Sequence, residues 1–376
     1  MKPKLAFIID SLESGGAEVF LQELSKELIK DYRIKVFVLT TFGIVGEELS
    51  KSNIELEIIG FKSERNFFLG FTKLYQELKS FNPSMVHTWM YYSNFIGGAA
   101  SLLAGCRNII WSIHAFNIRR GMLKGLTRII IYASSFLSYF IPKKIIYCSQ
   151  ASQGIHEEIG FSRSRSIFIP NAINPQKFDK VKTSDFEKFI KCNDYSSKKK
   201  IGLIGRYDVQ KNQLGFLTSL ELVRSSFNNF VALLVGRGCD NNNKDLVNII
   251  CKKGLKDNVI LLGERKNIPE ILHQLDIFVM PSLGEAFPIA LCEAMASGLP
   301  CIVTNVGDMK EIVGNNNLVI DDWDPKVFSD KLLELCEMSD LELDSIGFNL
   351  KQRVKAKFSI KKIAKLYKSC YSDMSP

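Results

Sequence analysis

Residues 279–312 constrain the fold more than any other part of the chain, reading V-M-P-S-L-G-E-A-F-P-I-A-L-C-E-A-M-A-S-G-L-P-C-I-V-T-N-V-G-D-M-K-E-I. An apolar strand at 277–280 leads into a Pro-Ser-Leu-Gly-Glu loop. Pro288 then suits the first turn of a helix, where its missing N–H is no loss. The helix continues through Met295 and Ala296, and Ser297-Gly298 ends it with the residue favoured just past a helix. Residues 300–304 form the next strand. Strand, loop, helix and strand make a βαβ unit of a parallel sheet, so an α/β fold is expected.

Two carboxylates punctuate this unit, Glu285 and Glu293, with seven residues between them. Glu285 falls in the loop beyond the strand's carboxyl end and Glu293 on the second helical turn. Both therefore border the crevice where open α/β sheets bind ligands. The N–H groups of Ile289, Ala290 and Leu291 at the helix start offer an anion a place between the two acids. Hydroxyls at both ends and phosphate in the middle is the shape of a sugar nucleotide. Either acid alone would be ordinary solvated surface; the pair around a helix start reads as a site.

This E-x7-E arrangement resembles the donor-binding helix of the retaining glycosyltransferases of family 4. The resemblance implies a GT-B fold: two Rossmann-like domains facing across a cleft, with a C-terminal helix crossing back to the N-terminal domain. It extends over most of the chain. Residues 5–9 are an unbroken apolar strand, feeding Gly15-Gly16-Ala-Glu18 and a helix to about residue 29. Family members carry a similar G-G-A-E loop near the donor phosphates and the acceptor. By that likeness Gly16 lies against the β-phosphate and Gly15 against the acceptor, while Glu18 belongs to the helix. Strands follow at 35–40 and 54–59, a helix at 67–80, and a strand at 85–88. Trp89, Tyr91 and Tyr92 beyond it are either acceptor-lining aromatics or packing. A strand at 108–113 ends at His114, which the family likeness places over the transferring sugar as a hydroxyl-positioning residue.

In the second half, a strand at 201–204 runs into Gly205-Arg206 and Lys211. Arginine's fork and lysine's point charge together suit a diphosphate, and the family uses such a G-R-x-x-x-x-K for the donor pyrophosphate. Arg265, after the strand at 259–262, corresponds to a position near the nucleotide base. Phe287 and Pro288 join the donor site by the same likeness. The segment I-P-N-A-I-N-P-Q-K-F at 169–178 resembles the family's hinge, with Ala172 and Asn174 in place of its usual glycine and aspartate.

The expected domains are 1–175, an acceptor-binding Rossmann-like domain with 358–376 packing back on it, and 200–357, the donor-binding domain. The polar, lysine-rich 176–199 is expected to link them. With 376 residues each domain can bury its own core. A net charge of +9 without a nucleic-acid motif argues against a nucleic-acid partner. Nine cysteines without a C-x-x-C pair fit reduced, buried thiols in the cytoplasm. Four scattered histidines and no placed Asp-x-Asp leave no metal site. Residues 129–141 are apolar and flanked by Arg119, Arg120, Lys124, Arg128, Lys143 and Lys144. As a helix they span about 20 Å, short of the ~30 Å of a bilayer core. They are a core helix whose basic, aromatic remainder (119–144) suits an anionic membrane surface.

The chemistry implied is retaining, metal-independent transfer of a hexosyl or N-acetylhexosaminyl group. The donor is a nucleotide-diphosphate sugar, with a UDP-sugar favoured, and no cofactor is needed. Lys211, Arg206 and the helix amides meet the leaving diphosphate, Glu293 the ribose and Glu285 the sugar. The acceptor expected is a glycan or lipid-linked oligosaccharide of surface polysaccharide assembly, such as lipopolysaccharide, at the cytoplasmic face of the inner membrane. Two rivals stay open: another GT-B sugar-nucleotide enzyme, and a non-catalytic GT-B partner-binding subunit.

Overall fold

The computed structural model describes residues 2–13, 15–61, 67–115, 125–179 and 185–374. The chain divides into two compact units, Met1–Ala172 with Ile360–Pro376, and Ile173–Ser359.

Unit 1 alternates strand and helix. Its strands are β1 (Lys4–Ile9), β2 (Arg33–Val38), β3 (Glu55–Ile58), β4 (Met85–Trp89), β5 (Ile109–Ile113), β6 (Lys144–Tyr147) and β7 (Ser166–Phe168). Between them lie α1 (Gly16–Leu28), α2 (Gly43–Ser50), α3 (Phe67–Phe81), α4 (Gly98–Leu103), α5 (Gly125–Leu137) and α6 (Gln150–Glu158). All seven strands pair in parallel, in the order β3-β2-β1-β4-β5-β6-β7. The apolar run of β1 and the full burial of β4 and β5 fit strands covered on both faces.

Unit 2 repeats the pattern with β8 (Lys199–Ile204), β9 (Phe230–Val235), β10 (Val259–Gly263), β11 (Ile277–Met280), β12 (Cys301–Thr304) and β13 (Val319–Ile320). Its order is β10-β9-β8-β11-β12-β13, again parallel. The helices here are α7 (Asp185–Cys192), α8 (Gln213–Ser226), α9 (Lys244–Lys252), α10 (Ile268–Leu272), α11 (Ile289–Ser297) and α12 (Met309–Val313). Then follow α13 (Pro325–Glu337) and α14 (Asp340–Lys357), before α15 (Ile360–Ser372) returns the chain to unit 1.

Aromatic residues anchor α15. It packs on α1, with Tyr367 and Tyr371 both fully buried. The Tyr367 ring meets Phe20 edge-on, 5.8 Å between centroids, and Tyr371 Oη lies 2.8 Å from His87 Nδ1 on β4.

The structure corrects three expectations. Residues 176–199 are not a free linker, because the boundary lies at 172/173 and the segment belongs to unit 2. Apart from 180–184, which lie outside the described residues, it is built of a short helical turn at Pro175–Phe178 and of α7. Phe186 and Ile190 give α7 a buried stripe that its lysines mask in composition. Trp89 belongs to β4, not to the loop after it. Finally, all nine cysteines are unbonded, yet Cys192 and Cys251 are exposed instead of buried.

Candidate active site

Each sheet reverses direction once, at β1/β4 in unit 1 and at β8/β11 in unit 2. Connections leave such neighbouring strands in opposite directions and open a crevice at their carboxyl ends, the usual ligand position in doubly wound sheets. The functional candidates from the sequence follow these strands.

In unit 2 the loops after β8 and β11 interlock. A single helical turn, Val209–Lys211, is started by Asp208, whose carboxylate accepts from Gln210 N at 2.9 Å. Asn212 follows in the left-handed region (φ 54°) and caps α8 by accepting from Gly215 N at 3.2 Å. Its amide also donates to the Pro281 carbonyl at 3.1 Å, and Leu283 N donates to Gln210 O at 2.7 Å. These bonds set Lys211 against Glu285. The Lys211 ammonium pairs with Glu285 Oε1, which also accepts from Ser282 Oγ at 2.9 Å. Little of either side chain reaches solvent: 22% for Lys211 and 11% for Glu285. Two glycines hold the loops from behind. Gly236 (φ 143°) backs onto the Gly205 carbonyl and Gly307 (φ 57°) onto that of Glu285, where a Cβ would collide with backbone.

Arg206 stands at the same strand end but turns to Asp208, Nε to Oδ2 3.1 Å, with 58% of its side chain exposed. It is the more exposed cation of the pair and Lys211 the more enclosed one. Helix α11 begins at Ile289 with Pro288 as its N-cap (φ −76°, ψ 112°), so the proline stands just before the first turn and not within it. Proline gives no side-chain cap, so the first-turn amides of Ile289, Ala290 and Leu291 are left to a ligand or water. The side chains of Ile289 and Leu291 are buried, which confines their part in any site to the backbone. Glu293 is half-buried on the second turn, and Gly298 (φ 85°) ends the helix as expected. Phe287 is buried edge-on against Phe358, 5.3 Å between centroids, and so packs the loop from inside. Arg265 follows the edge strand β10 and is exposed; its Nε donates to Leu262 O at 2.9 Å.

In unit 1 the crevice is lined by hydrogen-bonding side chains and aromatic rings. Gly15 caps α1 without a side-chain bond, and the Glu18 carboxylate folds back over it. Asp10, at the end of β1, reaches across to the loop after β4. Its Oδ1 accepts from Ser93 N at 2.7 Å and Ser93 Oγ at 2.5 Å. Burial raises its carboxyl to about 6, against the pull of the Ser93 bonds, and the nearby Glu18 charge adds to the rise. β4 ends in strain: Met90 has φ 76°, followed by a π-helical turn at Ser93–Gly97, a geometry common at functional sites.

His114 stacks face to face on Trp89, 4.5 Å between centroids at 4°. Its Nδ1–H donates to Asn171 Oδ1 at 2.9 Å, which leaves Nε2 as an acceptor, buried and without a hydrogen-bond partner among the described residues. Burial lowers this imidazole to about 4, the Asn171 bond only partly opposing it, so the ring is neutral at physiological pH. Trp89 is wholly buried and presents no surface to an acceptor. Tyr91 is also buried, its hydroxyl 2.7 Å from His156 Nε2. Tyr92 is half-buried and shares a hydrogen bond with Thr127 at 2.9 Å. Of these three aromatics Tyr92 alone keeps a substantial open side.

Sequence reasoning missed several of these residues. Asp10 was a visible signal, a carboxylate closing an apolar strand, but its partner Ser93 is far along the chain. Asn171 was visible only as part of a hinge motif, and nothing local ties it to His114. Among the described residues no cluster of three His, Cys, Asp or Glu side chains could hold a metal ion.

Two family models match the chain, one described as glycosyltransferase family 4 over residues 14–177 and one as glycosyl transferases group 1 over residues 198–338. An Escherichia coli UDP-Gal:α-D-GlcNAc-diphosphoundecaprenol α-1,3-galactosyltransferase is 27% identical over 303 residues, 75% of this chain and 76% of its own. A Campylobacter jejuni N,N′-diacetylbacillosaminyl-diphospho-undecaprenol α-1,3-N-acetylgalactosaminyltransferase is 26% identical over 348 residues, 90% of this chain and 86% of its own. Among solved structures, Anabaena HepE in complex with UDP and glucose superposes with a TM-score of 0.87. That match has 20% identity and covers 99% of this chain and 100% of that one. The likeness carries the GT-B fold of two Rossmann-like domains.

Proposed function

Because the chain belongs to the family 4 glycosyltransferases, in a branch serving polysaccharide and lipid-linked glycan biosynthesis, we propose that it transfers a hexosyl or N-acetylhexosaminyl group from a UDP-sugar to an acceptor hydroxyl with retention. The acceptor on this reading is a lipid-linked oligosaccharide presented at the cytoplasmic face of a membrane. Two relatives named for diphosphoundecaprenol acceptors, one of them also for a UDP-galactose donor, support that choice of substrates.

The observation that carries the reading is the Lys211–Glu285–Ser282 cluster beside an uncapped helix start. When the sugar's C1–O bond breaks, negative charge gathers on the leaving diphosphate. On this reading Lys211, Arg206 and the α11 amides supply the positive charge that stabilises it. Lys211 and Glu285 neutralise each other. An ammonium has three donors, so Lys211 can turn one to phosphate while Glu285 takes a sugar hydroxyl. Glu293 receives the ribose hydroxyls. These cations do the work of a divalent ion, which makes the reaction metal-independent.

His114 offers its bare Nε2 to a sugar hydroxyl, and its neutral state suits an acceptor of hydrogen bonds. No residue is assigned as nucleophile. The acceptor oxygen attacks C1 on the face the diphosphate leaves, and its proton passes to the departing phosphate oxygen. Gly15 and Gly16 allow close approach at the α1 start, with Tyr92 beside the acceptor.

Thermal-shift screening with UDP-, GDP-, ADP- and CMP-sugars, followed by NMR of the product's anomeric proton, tests this directly. A UDP-sugar should stabilise the protein and the product should keep the donor's anomeric configuration. Lys211→Ala and Glu293→Ala should abolish turnover and leave the fold intact. An inverted product, or near-native rates from both variants, would refute the proposal.

A further inference from the structure

Helix α5 is amphipathic the wrong way round for water. Its inward side carries Ile130 and Ile131 but also Ser134, Ser135 and, in the turn beyond it, Ser138, all buried. Ser135 Oγ donates to Tyr132 O at 2.8 Å, and Ser138 Oγ accepts from Ser162 N at 2.9 Å. The outward side, with the turn after it, presents Leu126, Ile129, Tyr132, Phe136, Tyr139 and Phe140, with Ile129 and Phe136 each 66% and Phe140 65% exposed. Phe136 and Phe140 lie against each other, 5.3 Å between centroids. The one charge on the face is Arg128, its guanidinium 5.9 Å from the Tyr132 ring. A contiguous apolar face of this kind marks an interaction surface.

The charge around it selects the partner. From residue 78 to residue 156 the chain contains no aspartate or glutamate, only Lys79, Arg107, Arg119, Arg120, Lys124, Arg128, Lys143 and Lys144. Of these, 119, 120 and 124 lie outside the described residues, while Arg107, Arg128 and Lys143 are exposed. A second copy on this face would bring Arg128 and the exposed basic residues of this stretch against their own like charge. A sheet of anionic headgroups over hydrocarbon satisfies both halves of the face at once. No described helix is long and apolar enough to cross a membrane, so the contact is at the surface.

We propose that the outward face of α5 docks unit 1 onto an anionic lipid bilayer, with Ile129, Phe136 and Phe140 entering the headgroup–acyl boundary and Arg128 at the phosphates. The proposal rests for its purpose on the lipid-linked acceptor proposed above, but its test does not, since the vesicles hold neither sugar nor nucleotide. The wild-type protein should co-sediment with vesicles of equal parts phosphatidylglycerol and phosphatidylcholine, and at least tenfold more weakly with phosphatidylcholine alone or in high salt. The triple variant Ile129→Gln, Phe136→Gln, Phe140→Gln should lose at least tenfold in anionic-vesicle affinity with an unchanged or raised melting temperature. Arg128→Glu should lose severalfold on anionic vesicles alone. Wild-type indifference to headgroup charge, or triple-variant binding equal to wild type, would overturn the proposal. So would a wild-type dimer, seen by light scattering and dispersed in the triple variant, in a protein that ignores vesicles.

Discussion

The two switch points are built alike in backbone and opposite in chemistry. At β8/β11 the crossing contacts are charged, Lys211 to Glu285, and the loops are braced by positive-φ glycines against backbone carbonyls. At β1/β4 the crossing contact is Asp10 to Ser93, and the groups behind it are a neutral His114 and aromatic rings. A crevice with fixed cations is preorganised for an anion. A crevice of buried hydrogen-bonding groups around a neutral imidazole suits hydroxyls. On the proposed reading the charge that meets the leaving group sits in unit 2, together with Glu285 and Glu293 for hydroxyls, and unit 1 adds the neutral imidazole of His114.

The largest consequence of that difference concerns acid. Unit 1 holds His87, His114 and His156, all buried and all pushed below the usual histidine value, the last two to about 4. As pH falls below 6.5 the unfolded chain gains protons there that the folded chain refuses, so stability is lost toward pH 4. Asp10 acts with the opposite sign. Its folded value of about 6 lies above the unfolded 3.8, so it contributes stability at low pH that is lost as pH rises through 6. Three histidines against one aspartate leave a net loss on the order of 3 kcal/mol per pH unit at the steepest. Hydrogen exchange at pH 5 against pH 7 should show unit 1 opening first. Equal loss of protection in both units would erase the contrast.

Glycine substitutions sharpen it next. Gly307→Ala forces a Cβ into the Glu285 carbonyl at a left-handed φ and should cost about 2 kcal/mol or more. Gly15→Ala has an ordinary extended φ of −115° and meets only the tip of the Glu18 side chain, so a few tenths of a kcal/mol is expected. Chemical denaturation measures both. Similar costs would mean the unit 2 loops are no more tightly specified than those of unit 1.

The smallest effect belongs to His114→Phe, which keeps a ring on Trp89 and removes both nitrogens. Transfer should slow roughly five- to tenfold, the worth of one neutral hydrogen bond, with UDP affinity unchanged. A loss of UDP binding would place the imidazole in the anion's crevice instead.

Much of unit 2 was legible in sequence because its signals are local. Pro288 and Gly298 punctuate the two ends of α11, and Arg206 and Lys211 share one short loop. The residues that escaped are joined by the fold: Asp10 to Ser93, and His114 to Asn171. Trp89 shows the same limit, since an aromatic at a strand's end reads alike whether it caps the core or lines a pocket. In α7 the periodic Phe186 and Ile190 were there to be read, but lysine-rich composition pointed to a linker. For α5 the apolar run was plain, and only the burial of its serines reveals which side faces out.

The central claim is that Lys211 and Arg206 grip a nucleotide's diphosphate without a metal. Calorimetric titration of UDP in the presence of EDTA, into the wild type and into Lys211→Ala and Arg206→Ala, tests it most directly, with uridine as the control ligand. UDP should bind the wild type in EDTA and at least tenfold more weakly to each variant, while uridine binds all three alike. UDP affinity that depends on added magnesium, or that survives both substitutions, would contradict it.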